Sequence, residues 1–194
     1  GRPGVVHIDI PENIMNGKVK CDLALWEPHQ YRMVELPKAS DYQVDRAIEL
    51  LTSATFPIIR AGSGVIHASA KAELTEVAEK LQAMVTTSWA GRGAMDEDNR
   101  LMMPMVHIEA NNNVRNNADV VLILGSRMGE TDWWGKAPYW NAQQKVIQVD
   151  LDSSILGANK PANLTIQADV KGFLQQLLVK LGETESIAIN SSRE

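Results

Sequence analysis

Apolar and polar residues follow two alternating periods along most of this chain. Ser40 opens the first helical block: Val44, Ala47, Ile48 and Leu51 recur at helical spacing, and Gln43 stands where it completes a capping box with Ser40. Pro57 to Ala61 reads as a short apolar strand ended by Gly62. Ser69 to Gln82 is amphipathic through Ala70, Leu74, Val77, Ala78 and Leu81, and Met84 to Thr87 is a second strand. Val120 to Leu124 is an unbroken apolar run of the kind buried on both faces; Val146 to Val149 is another, and Leu164 to Ala168 a weaker one. Phe173 to Leu181 closes the series with Leu174, Leu177, Leu178 and Leu181 on one helical face. Repeated strand, crossover helix and strand units predict an α/β fold, a mostly parallel sheet with helices on both faces.

Outside that block the pattern changes. Val5 to Ile10 is strand-like, starts after a Gly1-Arg2-Pro3-Gly4 turn and stops at Pro11. Residues 16–40 carry Gly17, Pro28 and Pro37 among isolated apolar residues and read as an extended linker. The compact domain is expected over 41–182, and 183–194 lose periodicity as the start of another linker.

Composition narrows the function classes. A hydrophobic fraction of 44% in 194 residues can build one substantial core, and the net charge of −5, with basic residues scattered singly, argues against a nucleic-acid partner. Cys21 stands alone, so neither an internal disulfide nor a cysteine metal cluster can form. No apolar run reaches the ~20 residues of a membrane span, which makes a soluble, cytoplasmic protein the expectation.

In an open parallel sheet ligands bind beyond the carboxyl ends of the strands, so the residues there carry the candidate chemistry. Gly62-Ser63-Gly64 follows the first strand, where glycines allow a phosphate to approach backbone N–H groups; a plain strand-to-helix turn explains the same residues equally well. Gly125-Ser126-Arg127 follows the run 120–124 and can deliver a guanidinium to a diphosphate, or pair Arg127 with Glu130 or Asp132. Asp150 and Asp169 end two later strands, where a carboxylate accepts from ribose hydroxyls; capping a helix is the commoner role for Asp169. Trp133, Trp134, Tyr139 and Trp140 gather in one loop, either as a flavin-facing wall or, the better reading, as a packing surface for another domain.

Taken in order, Gly1-Arg2-Pro3-Gly4 with Asp9-Ile10-Pro11, Ile59-Arg60-Ala61-Gly62-Ser63-Gly64, Thr86-Thr87, Ala118 to Arg127, Val149-Asp150-Leu151-Asp152 and Ala168-Asp169 resemble the central domain of thiamine diphosphate (ThDP) enzymes of the acetolactate synthase group. The resemblance implies a Rossmann-like domain of about six strands, residues 1–15 as the end of a preceding pyrimidine-binding domain, and a chain that is a piece of a larger enzyme. It implies FAD or ADP across the strand ends. Gly62, Ser63 and Gly64 would lie near its ribityl-diphosphate part, Gly125 and Arg127 at the diphosphate, and Asp150 and Asp169 at the adenosine end. ThDP and magnesium would belong to the pyrimidine- and diphosphate-binding domains outside this chain, in a homodimer or homotetramer. The implied parent decarboxylates a 2-oxo acid and transfers the carbanion equivalent to an acceptor, while this piece alone would be inactive. The alternative is a scaffold domain, without ligand, of a ThDP-dependent 2-oxo acid or acyl-CoA decarboxylase.

Overall fold

The computed structural model describes residues 4–31 and 35–183. The chain divides into two units, Gly1–Leu36 and Pro37–Glu194. In the first, two four-residue helices, α1 (Glu12–Met15) and α2 (Pro28–Tyr31), interrupt exposed, irregular chain. The expected strand Val5 to Ile10 does not form: its residues are exposed and carry no ladder. Alternating apolar residues make a strand only beside another edge, and the described residues of this unit offer none.

The second unit holds the sheet. Its order of elements is α3 (Asp41–Thr52), β1 (Pro57–Ala61), α4 (Ser63–His67), α5 (Lys71–Leu81), β2 (Met84–Thr87), α6 (Ile108–Asn117), β3 (Val120–Leu124), β4 (Lys145–Asp150), β5 (Leu164–Gln167) and α7 (Val170–Glu183). The expected linker 183–194 lies outside the described residues except Glu183, which ends α7. All pairings are parallel, in the order β2-β1-β3-β4-β5. Among the described residues five strands stand where about six are expected; beyond β2 a single parallel bridge joins Val85 to Met102.

The caps act as the sequence predicts. Ser40 Oγ accepts from the Gln43 N–H, and the Gln43 side chain accepts from the Ser40 N–H at 3.0 Å. α3, α5 and α7 cover one face with Val44, Leu51, Leu74, Val77, Phe173 and Leu177 against Ile59, Leu122 and Val149. The other face is thinner: Ile58, Val121, Ile123 and Val146 pack under Val114 and Ala118 of the α6 region and under Met128 and Trp140 of the loop after β3.

Candidate functional site

Because every strand runs the same way, Ala61, Thr87, Leu124, Asp150 and Gln167 end at one edge. The strand order 2-1-3-4-5 places its switch point between β1 and β3, where doubly wound sheets take up ligands. There the predicted glycines meet one another. The Gly62 N–H donates to Leu124 O at 2.8 Å, the Gly64 N–H to Gly125 O at 3.1 Å, and the Gly125 N–H to Val149 O at 2.9 Å. A Cβ on Gly62 would stand 2.7 Å from the Gly125 carbonyl carbon, and one on Gly64 2.6 Å from Gly125 Cα. Glycine is needed here so that two turns can touch through main chain, with Gly125 at φ +55°. The amides of Gly62, Gly64 and Gly125 are thereby engaged by protein carbonyls. The groups this turn can still offer a phosphate include Ser63, half-buried at the start of α4, and Arg127.

Arg127 is exposed, and among the described residues its guanidinium has no carboxylate partner. Asp132, one of the two acids considered for it, pairs instead with Arg60, and both side chains are buried. Asp150 Oδ1 accepts from the Asp152 N–H at 3.0 Å, and Asp152 Oδ1 from Ser154 N–H at 3.0 Å, which caps a short turn over Ser153–Ile155. Asp169 Oδ2 accepts from the Gly172 N–H at 2.8 Å, so it caps α7, the commoner role. To a diphosphate this edge could offer an exposed guanidinium and a hydroxyl beside a floor of bare main chain.

Under the edge lies a cluster that the sequence reading passed over. Arg60, the fourth residue of a strand whose five residues are all buried, shares the face of Ile58 and so faces the thin layer. Its register partners are Thr86 on β2 and Ile123 on β3, with Gln148 next on β4, so a buried row that is polar except at Ile123 crosses that face. Trp140, 1% exposed, stands over it and donates from Nε1 to Asp132 O at 2.9 Å. Arg60, Arg115 and Lys160 lie 5.9, 5.3 and 5.4 Å from the centre of its ring. Burial pushes Arg115 down to about 10; the Arg60 charge adds to this and Asp132 opposes it. Burial also lowers Lys160, which donates to Gly135 O at 3.2 Å and Asn141 O at 3.3 Å. The signal was a charged residue inside an apolar strand, a placement that requires a partner.

The loop aromatics divide. Trp140 joins the core, while Trp133 and Trp134 remain about half exposed in successive left-handed conformations, φ 53° and 49°, with Trp133 stacked on Tyr139 at 4.1 Å. Among the described residues no group of three or more His, Cys, Asp or Glu is placed to hold a metal, and no helix is long and apolar enough to cross a membrane.

Comparison with known proteins agrees with this fold. The family described as "Thiamine pyrophosphate enzyme, central domain" matches residues 44–177. An acetolactate synthase of Mycobacterium bovis is 33% identical over 190 residues, covering 93% of this chain and 29% of that protein. A glyoxylate carboligase of Escherichia coli O157:H7 is 30% identical, covering 94% of this chain and 31% of that protein. A solved structure of a candidate thiamin diphosphate-dependent enzyme from Mycobacterium smegmatis superposes with a TM-score of 0.60 over 75% of this chain and 29% of that one; at 24% identity it speaks to the fold alone. The chain spans about three-tenths of the length of these relatives. On the match over 44–177 and on these identities, this chain belongs to the family of thiamine pyrophosphate enzyme central domains.

Proposed function

We propose that this chain is the nucleotide-binding central domain of an acetolactate synthase-like enzyme, which decarboxylates a 2-oxo acid and transfers the carbanion equivalent to an acceptor. Thiamine diphosphate with magnesium, held by the pyrimidine- and diphosphate-binding domains, supplies that carbanion chemistry. In this reading the chain's own contribution is a place for FAD or ADP along the carboxyl edge. Arg127 binds the diphosphate, Ser63 adds a hydroxyl, and the turns of Gly62, Gly64 and Gly125 form the floor. Asp150 and Asp169 stand toward the adenosine end, with Asp169 also capping α7. The parent is cytoplasmic and works as a homodimer or homotetramer, and this piece alone turns over no substrate.

The observation that carries the reading is an exposed arginine without an acidic partner among the described residues, beside a glycine floor at the switch point. Titration of the chain with FAD, and separately with ADP, tests it by flavin fluorescence and thermal shift. Saturable binding weakened about tenfold or more by Arg127→Ala supports it, as expected for loss of a charge-assisted contact. Binding of ADP alone points to an acyl-CoA decarboxylase type of parent. Binding of neither, with Arg127→Ala unchanged in stability, favours the second reading, a scaffold domain without ligand. The engagement of the Gly62, Gly64 and Gly125 amides within the protein supports that alternative.

A further inference from the structure

Arg127 is the exposed residue between two buried ones, Ser126 and Met128, and the main chain on both sides of it is tied down. Ser126 O accepts from Gln148 Nε2 at 3.0 Å, Arg127 O from Asn159 Nδ2 at 2.8 Å, and the Met128 N–H donates to Ser126 Oγ at 3.2 Å. Met128 sits at φ +51° with its side chain wholly buried, a conformation that a long side chain adopts only when its surroundings impose it. What imposes it is visible below the turn. Ser126 Oγ also donates to Asp132 Oδ2 at 3.2 Å, while Asp132 Oδ1 accepts from the Arg60 guanidinium on β1. One buried carboxylate therefore joins the sheet to both ends of the loop that carries Arg127.

A buried ion pair is a poor device for stability alone, since an apolar pair of equal volume does as well or better. Ile123 is the register partner of Arg60 and Ile58 precedes it by two residues on the same face, so an aliphatic residue there would have apolar neighbours. We infer that Asp132, anchored by Arg60 and bonded to Ser126, is a positioning residue that sets the direction in which Arg127 is presented to a bound diphosphate. This rests on the nucleotide reading above. It adds that the guanidinium binds as a preformed contact, with little ordering left to occur on binding.

Calorimetric titration of the full chain with ADP tests the coupling. Ser126→Ala and Asp132→Asn are each expected to weaken ADP by about 5–10-fold, the size of one hydrogen bond. Neither should weaken it further in an Arg127→Ala background, and Ser126→Thr, which keeps the hydroxyl, should bind as the parent does. Losses that add to that of Arg127→Ala, or no loss in Ser126→Ala, overturn the proposal. Should Asp132→Asn fail to fold, the Ser126→Ala and Ser126→Thr pair decides alone. If the parent chain binds neither ADP nor FAD, the nucleotide reading falls, and trypsin cleavage after Arg127 then tests the positioning by itself. Faster cleavage there in Ser126→Ala, at an unchanged thermal midpoint and an unchanged rate after Arg92, keeps Asp132 as the holder of the turn. Equal rates after Arg127 remove that role.

Discussion

Around Trp140, three cations face one carboxylate. Arg60 meets Asp132, Lys160 meets two carbonyls, and Arg115 donates from Nε to Asn111 O at 3.2 Å and bonds Asn112. The ring face offsets part of the charge burden, about 0.5–2 kcal/mol for each well-placed cation. The remainder appears in Arg115, whose affinity for its proton falls to about 10. A base whose proton is held less tightly in the folded chain than in the unfolded one gains stability as pH rises through the lower value. The unfolded state binds more protons across that window. Between pH 8 and 10.5 the parent should therefore gain up to about 1 kcal/mol relative to Arg115→Met. Urea unfolding of both at the two pH values checks this; a constant difference would mean that Arg115 titrates normally.

At the scale of elements, α7 shows how one side chain can answer two descriptions. Asp169 stands at a strand end, where a ribose contact is expected, yet its Oδ2 closes the first turn of α7. Asn caps as well as Asp does, whereas Ala does not. Asp169→Ala should lower stability by about 1 kcal/mol and Asp169→Asn by only a few tenths, read from thermal unfolding. If Asp169→Asn also leaves nucleotide affinity unchanged, the carboxylate has no part in the adenosine end. The elements most legible in the sequence were those whose burial sets one clean period. β1, β2 and β3 have the expected bounds, and the capping box at Ser40 forms with the expected partners. α6 was missed because Ile108–Asn117 is rich in asparagine, a weak helix former, and is fixed by Val114 and by buried Asn111 and Arg115 in place of an apolar stripe. α4 is too short for a period to show. Of the site, the glycines and Arg127 were legible as strand-end residues. Their contact across two turns was not, since Gly62 and Gly125 are brought together only by the β1–β3 pairing. Asp132 was weighed as a partner for Arg127; its pairing with Arg60, 72 residues away, follows from the same juxtaposition.

For the molecule as a whole, the core among the described residues begins at Ala39. Pro37 already belongs to it through its carbonyl, which accepts from the Asp169 N–H at 2.9 Å. A chain starting at Pro37 retains all of these contacts, so it should unfold in urea in one cooperative step, with tryptophan emission and far-ultraviolet dichroism changing together. Separate transitions would show that residues before Pro37 complete the fold. The glycine floor has a consequence for how such a domain can change over time or in an engineer's hands. A surface of bare main chain offers no side chain to exchange, and any replacement at Gly62 or Gly64 collides with the neighbouring turn before it can alter a ligand. Variation is thereby channelled to the rim, to Ser63, Arg127 and the tryptophan loop, where a new preference can be acquired while the ground beneath it stays fixed.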